Sequence, residues 1–158
     1  MRVHSRLIGL TGALALAAGV AIGAQAKDPV IGMWMLDTAK STYKPGPAPK
    51  SAMVTIEAAG KGFKVSVDAV SADGKPAKWG YTSEEGKDVP VTGNPAYDTV
   101  ALTRESPTNA TAVYKKDGKT VSTSKSSVSA DGKTLTITST GTNAAGQAFT
   151  NVGVYMKH

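Results

Sequence analysis

Apolar and polar residues alternate along most of the chain after residue 30, in short runs separated by turn-forming residues. This period of two is that of a β-strand, whose successive side chains point to opposite faces. No run has the period of a long helix. The alternation predicts strands at residues 31–36, 53–58, 63–70, 77–83, 98–104, 111–115, 120–128, 134–140 and 147–156.

Three Asp-Gly-Lys sequences, at residues 73–75, 117–119 and 131–133, mark turns between these runs. Asp-Gly favours tight hairpins because Gly adopts positive φ freely and Asp tolerates it. Two copies belong to an identical hexapeptide, starting at Val70 and Val128, but the residues before the copies differ. Shared turn chemistry therefore explains them better than duplication. Lysine in the third place also makes them poor calcium sites, because calcium needs oxygen ligands.

The connections between the predicted strands are short, so consecutive strands should pair antiparallel. Asp37 is expected to cap a short turn over residues 38–43, and the proline-rich residues 44–50 predict an extended connector instead of a helix. The sequence therefore predicts an all-β fold: an antiparallel up-and-down meander of about eight to ten strands closed into a barrel, which removes exposed edges. A β-sandwich is the alternative, but Greek-key connections are longer.

The first 26 residues differ from the rest of the chain. A basic start precedes an apolar stretch over residues 7–24, which ends on Ala24-Gln25-Ala26. These features predict a cleavable secretory signal peptide at residues 1–26 and a single domain at 27–158. A membrane-anchoring helix is the alternative, but Gly and Thr interrupt the stretch. We expect a bacterial protein that is periplasmic or secreted, with no stable membrane insertion after signal removal.

The composition of residues 27–158 narrows the function classes. They carry 16 basic and 12 acidic residues, a net charge of +4, and no basic run longer than Lys115-Lys116. Nucleic-acid binding requires a basic patch, so we expect no nucleic-acid partner. There is no cysteine, hence no disulfide and no lipid-modified cysteine. Nothing in the sequence indicates the oligomeric state.

Catalytic chemistry finds little support among the residues. His158 is the only histidine after His4, so residues 27–158 hold neither a Ser-His-Asp triad nor a multi-histidine metal site. The carboxylates fall largely in turns, and the adjacent pair Glu84-Glu85 would point to opposite faces if it lay in a strand. We therefore expect a protein that is not an enzyme and has no metal and no cofactor.

Residues 120–142 are unusually rich in hydroxyl groups, with thirteen Ser or Thr among twenty-three residues. Two interpretations remain open. One hydroxyl face points inward, so that the barrel holds water and a ligand, because a dry interior would leave hydroxyls unsatisfied. Alternatively, the hydroxyls face solvent, as in the usual polar-out alternation of antiparallel sheets.

Four side chains are candidates for a ligand-binding site. Trp79 and Tyr81 share one face of their strand, and Tyr155 lies in the last strand. Arg104 is the only arginine after residue 26 and is in phase with Leu102, so an inward guanidinium would meet an anionic ligand group. The alternative is structural: the aromatic residues fill a core and the arginine braces a strand end. Apolar walls with few polar groups are typical of ligand pockets.

Gly32-Met33-Trp34 resembles the Gly-x-Trp signature in the first strand of lipocalins and fatty-acid-binding proteins, the calycin group. Residues 154–157 resemble the last strand of the fatty-acid-binding members. The chain is also similar to a family of uncharacterised lipocalin-like exported bacterial proteins, in residues 45–51 and 90–95 and in the Asp-Gly-Lys turns. The resemblance implies a calycin barrel of unassigned function, with Trp34 packed at the closed end in a structural role.

Two features depart from the fatty-acid-binding pattern. Gly153 stands where that group has an arginine that holds the ligand carboxylate, and residues 37–50 are too short for the helical lid. Arg104 is the alternative anchor. The resulting hypothesis is a non-catalytic calycin-like barrel that binds a small apolar or amphipathic ligand. The alternative is a structural or protein-interaction module of the bacterial envelope, with a filled interior and a partner surface at residues 90–95.

Overall fold

The structure, a computed structural model, describes residues 27–158, so the predicted signal peptide lies outside the described residues. All eleven regular elements of residues 27–158 are strands. They are β1 (Gly32–Leu36), β2 (Thr42–Lys44), β3 (Ser51–Ala59), β4 (Gly62–Val70), β5 (Pro76–Thr82), β6 (Asp88–Pro90), β7 (Thr99–Arg104), β8 (Asn109–Lys116), β9 (Lys119–Val128), β10 (Thr134–Thr142) and β11 (Ala148–Lys157). Within residues 27–158, no helix is long and apolar enough to cross a membrane.

One antiparallel sheet contains every strand, in the order β5-β4-β3-β1-β11-β10-β9-β8-β7-β6, with β2 added beside β11. The sheet curls until its two ends meet. There, the backbone N–H groups of Gly80 and Thr92 each donate to the other residue's carbonyl oxygen at 3.0 Å. The predicted all-β meander is therefore confirmed as a nearly closed barrel. Thr92 belongs to the loop at residues 90–95, so this loop helps to close the barrel.

All nine predicted strands are present, and two short ones were not predicted. β2 and β6 have three residues each, too few for an alternating pattern to be recognised. The predicted cap is found, because Asp37 Oδ1 accepts hydrogen bonds from the N–H groups of Ala39 and Lys40 at 3.1 and 3.2 Å. The three Asp-Gly-Lys turns connect β4 to β5, β8 to β9 and β9 to β10, as predicted.

Trp34 is fully buried in the barrel and held from two sides. Its indole N–H donates to the carbonyl oxygen of Val30 at 2.9 Å. The Lys157 ammonium lies 4.8 Å from the ring centroid, within cation–π range, and donates to the carbonyl oxygen of Pro29 at 3.0 Å. These contacts tie the segment before β1 to the barrel, in agreement with the structural role that the resemblance implies for Trp34.

Candidate functional site

The barrel encloses a cavity of about 200 Å³. Much of its lining is aliphatic and comes from alternate residues of β3, β4 and β10, including Val54, Val65 and Ile137. The alternation predicted from the sequence places these side chains inward, while the residues between them face outward. Two other parts of the lining, one aromatic and one carrying hydroxyl groups, give the cavity its chemical character.

The aromatic wall consists of Trp79, Tyr81, Tyr97 and Tyr114, which all line the cavity. Trp79 stacks on Tyr81 with ring centroids 6.5 Å apart, and meets the rings of Tyr97 and Tyr114 edge-on at 6.2 Å each. Tyr97 and Tyr114 are closest, at 4.6 Å. Such contacts prefer defined ring geometries, so the four side chains brace one another. The wall is a continuous aromatic surface.

The hydroxyl wall consists of Ser124 and Ser126 on β9 and Ser139 on β10. The hydroxyl oxygens of Ser124 and Ser139 lie 2.7 Å apart, and Ser126 Oγ donates to the carbonyl oxygen of Ala110 at 3.3 Å. One face of the hydroxyl-rich stretch therefore points into the barrel. The interpretation that all these hydroxyls face solvent is wrong for this face, although the neighbouring Ser127 is exposed.

The tyrosines of the cavity are uncharged at neutral pH. Burial raises the pKa of Tyr81 and Tyr97, and raises that of Tyr114 well above its ordinary value of 10.0. Burial also raises the pKa of Tyr155, and the neighbouring Tyr43 hydroxyl raises it further. A buried phenolate would be poorly solvated, so the neutral form persists. Among the lining residues, only Arg104 carries a charge.

Arg104 is held by the protein itself. Its Nη1 and Nη2 atoms donate to Asp28 Oδ2 and Oδ1 at 2.5 and 2.8 Å, a two-pronged ion pair in which both side chains are partly buried. Nη2 also donates to the carbonyl oxygen of Pro107, and Nε donates to that of Ser106 at 3.0 Å. The guanidinium lies 5.0 Å from the centroid of the Phe63 ring. These contacts use nearly all of its donors.

The structure brings the four predicted residues, Trp79, Tyr81, Arg104 and Tyr155, to the lining of one cavity. Their ligand-binding role stays a prediction. To bind an anionic ligand group, the Arg104 guanidinium would have to break its ion pair with Asp28. In its present contacts the side chain acts as the brace that the structural alternative describes.

Sequence reasoning missed Tyr97, Tyr114 and the serines as individual cavity residues. Tyr97 lies in the loop before β7, where alternation gives no direction. Tyr114 is two residues from Ala112 in β8, so alternation places both side chains on the inner face of the strand. Alternation does not show whether an inward side chain lines a cavity or fills a core. The inward direction of the serines depends on which face of β9 is buried, and Val128 at the end of that face was the available clue.

The structure shows what lies at Gly153, the position where the fatty-acid-binding pattern has an arginine. A Cβ atom on Gly153 would lie 2.7 Å from Cε2 and 3.2 Å from the hydroxyl oxygen of Tyr155. The Tyr155 ring therefore covers this glycine. A larger residue at position 153 would displace the ring, so the two positions are sterically linked.

Comparison with known proteins supports the fold. Neither a protein-family model nor a curated protein matches the chain. Among solved structures, zebrafish ileal bile acid-binding protein complexed with cholic acid matches with a TM-score of 0.52 and 15% identity, over 82% of this chain and 99% of that one. The fold is calycin-like. The siderocalin Ex-FABP is also similar, with a TM-score of 0.33 and 16% identity over 82% of this chain and 74% of that one.

Acidic, histidine or cysteine side chains do not form a metal site in the described part of the chain. No group of three or more such residues is close enough there to hold an ion. The candidate functional site of the described barrel is therefore its cavity, which has an aromatic wall and a hydroxyl wall.

Proposed function

We propose that this protein is an exported, non-catalytic barrel that binds a small apolar or amphipathic molecule in its central cavity. The observation that carries the proposal is the cavity itself: about 200 Å³ of interior space between an aromatic and a hydroxyl wall. Filled barrels pack side chains into this space. The zebrafish protein of similar fold was solved with cholic acid, which supports small-molecule binding by such a barrel.

The volume limits the size of the ligand. A dry cavity of about 150 Å³ binds benzene, whereas pockets for drug-sized ligands measure about 300–1,000 Å³. A cavity of about 200 Å³ lies between these cases. The ligand is therefore a compact molecule of one or two fused rings. A sterol-sized molecule or a long acyl chain would require the barrel to expand.

The charges favour a neutral ligand. Arg104 is neutralised by Asp28, and the lining tyrosines stay protonated. A carboxylate entering the cavity would lose its hydration without gaining a free cationic partner. The proposed ligand therefore differs from a fatty acid, whose carboxylate is held in the fatty-acid-binding proteins by an arginine at the position of Gly153.

The two walls define how such a ligand would lie. A planar ring would pack against Trp79 and Tyr114, where offset and edge contacts are favourable. A hydroxyl or amine on its far edge would reach Ser124, Ser126 or Ser139, because a serine hydroxyl both donates and accepts hydrogen bonds. The predicted ligand is a neutral phenol-like or indole-like compound.

A calorimetric titration with 1-naphthol tests this proposal. The compound is neutral at pH 7, has two fused rings and carries one hydroxyl, so saturable binding of one equivalent is expected. Palmitate and cholate, tested alongside it, should bind much more weakly. No saturable binding of any of the three would contradict the proposed function. Tighter binding of palmitate or cholate would overturn the size and charge argument while leaving ligand binding intact.

Two neighbouring substitutions provide a matched control. Ser126→Leu adds a larger side chain to the cavity wall, whereas Ser127→Leu adds the same side chain on the outer face of β9. We expect the first variant to lose naphthol binding by about ten-fold or more, since filling the cavity excludes the ligand. The second should bind as the unmodified protein does. Equal affinities would place the binding site elsewhere.

Export is a separate part of the proposal and rests on residues 1–26. Mass spectrometry of protein recovered from the periplasm of a bacterial host checks it. A mass corresponding to a chain that begins at Lys27 is the expected result, and a full-length mass in the cytoplasm would contradict it.

A further inference from the structure

The methionine and histidine side chains of residues 27–158 gather on one outer face of the barrel. These residues contain four methionines and one histidine in all. In the register of β1 with its neighbours, Met35 lies opposite both Met156 of β11 and Met53 of β3. The backbone N–H of His158 donates to the carbonyl oxygen of Met33 at 2.9 Å, which places these two residues opposite each other.

Alternation along the strands puts these side chains outside the barrel. Trp34, between Met33 and Met35, is fully buried, and Tyr155, before Met156, lines the cavity. Met33 and Met35 are accordingly 40% and 46% exposed, although methionine is usually buried. Neither methionine belongs to the hydrophobic core of residues 27–158.

Met33, Met35, Met156 and His158 form a rectangle, which we call the Met/His face. Side chains directly opposite on paired strands have Cβ atoms about 4.5–5.5 Å apart, and neighbours two residues apart along a strand are separated by about 6–7 Å. Methionine has three rotatable side-chain bonds and no branch at Cβ. Met156 Sδ accepts a weak hydrogen bond from the Thr134 hydroxyl on the β10 side, at 3.8 Å. Rotation about the methionine side-chain bonds would exchange this contact for an arrangement in which three thioether sulfurs and one imidazole converge above the centre of the rectangle.

The donor chemistry selects one kind of ion. Soft thioether ligands favour Cu(I), and imidazole also suits copper, whereas magnesium and calcium prefer carboxylate and carbonyl oxygens. The only charged side chain between these residues is that of Lys157, and its ammonium is bound to Pro29 and Trp34 instead of facing the rectangle. We propose that the Met/His face is a binding site for Cu(I).

This site is independent of the cavity and could not be predicted from the sequence alone. A single histidine argues against a metal site built from several imidazoles, but not against one built from thioethers. The pattern Met-x-Met occurs at residues 33–35 and Met-x-His at residues 156–158. Only the pairing of β1 with β11 shows that these patterns are adjacent.

Competition between the protein and the chromogenic Cu(I) chelator bicinchoninate tests the proposal. The protein is purified after expression of the full chain, and the competition is run under reducing, oxygen-free conditions. We expect the protein to withdraw one equivalent of Cu(I) from the chelator. In a parallel NMR titration with Ag(I), the methionine methyl signals of Met33, Met35 and Met156 and the ring signals of His158 should shift together. No withdrawal of Cu(I), or no shift of these signals, would overturn the proposal.

Variants test which residues form the site. Met35→Leu conserves volume, and exchange of these residues usually costs little stability. It and His158→Gln should each weaken Cu(I) affinity by about ten-fold or more, as loss of a ligand or its support does. Met53→Leu, on the far side of Met35, is the matched control and should change the affinity by less than about three-fold on the same scale. Unchanged affinity in Met35→Leu and His158→Gln, or an equal loss in Met53→Leu, would overturn the assignment.

Discussion

Asp28 and Arg104 form a two-pronged ion pair that joins the segment before β1 to the end of β7, with N–O distances of 2.5 and 2.8 Å. The residues are 76 positions apart in the chain, so the pair closes a long loop. It also binds the guanidinium of Arg104, the one charged residue of the cavity lining, to a carboxylate of the protein itself. The pair therefore affects both the stability of the barrel and the type of ligand it accepts.

Replacing Asp28 by alanine should destabilise the fold. The variant leaves a partly buried guanidinium with fewer partners, and hydrogen bonds to charged groups contribute about 1.5–3 kcal/mol each. We expect Asp28→Ala to lower the free energy of unfolding by about 2 kcal/mol, measured by urea denaturation. Asp68→Ala is the control, because Asp68 pairs with an exposed lysine, Lys78, and such pairs contribute about 0–1 kcal/mol. Equal losses in the two variants would contradict this account.

The contribution of Asp28 should depend on pH in one direction. Hydrogen bonds from Arg104 lower the pKa of Asp28 below its ordinary value of 3.8 and outweigh the opposing effect of burial. A group with a lowered folded-state pKa stabilises the protein above its unfolded-state pKa, and this stability is lost as pH falls through the folded-state pKa. The difference in unfolding free energy between the unmodified protein and Asp28→Asn should be constant above about pH 5 and should shrink below about pH 4. A difference that grows on acidification would refute the assignment.

Ser124 and Ser139 should behave as a coupled pair. Their hydroxyl oxygens lie 2.7 Å apart in the cavity wall. Changing either serine alone to alanine leaves the other hydroxyl without this partner, at a cost of about 1 kcal/mol, whereas removing both can be nearly neutral. A double-mutant cycle by urea denaturation should therefore give a coupling energy of about 1 kcal/mol. Additive losses would mean that the hydroxyls do not depend on each other.

Gly153 should tolerate no side chain while Tyr155 keeps its position. An added Cβ would lie 2.7 Å from the Tyr155 ring, so Gly153→Ala should destabilise the protein by about 1–3 kcal/mol. The ring is the obstacle, and the same glycine substitution should therefore cost less in a Tyr155→Leu background. Thermal unfolding of the four proteins in this cycle provides the measurement. A cost that is unchanged in the Tyr155→Leu background would point to the backbone instead.

The fold could be predicted from the sequence because the alternating strand pattern and the turn sequences indicated the same arrangement of strands. Alternation located nine strands, and the Asp-Gly-Lys turns indicated which of them follow each other as hairpins. The two strands that were missed, β2 and β6, are short and depend on pairing with β11 and β7. The loop that contains Thr92 closes the barrel through a single bridge to Gly80, a contact that leaves no local pattern.

The candidate site was accessible only in part. Strand phase correctly grouped Trp79 with Tyr81 and placed Arg104 among cavity-facing residues. Strand phase gave no information about Asp28, because the segment before β1 has no alternating pattern. The contact of Asp28 with Arg104 joins this segment to the end of β7, 76 positions away in the chain. The Met/His face depends in the same way on pairing between the two ends of the domain. Properties that arise from long-range pairing require the structure.

The central claim is that the cavity takes a compact neutral ligand, and intermolecular NOEs between 1-naphthol and the labelled protein test it most directly. The structure predicts NOEs from the naphthol ring to the methyl groups of Ala112 and Ile137, which line the cavity, and none to the exposed methyls of Met33 and Met35. NOEs confined to surface methyls, or a titration that does not saturate, would contradict the claim.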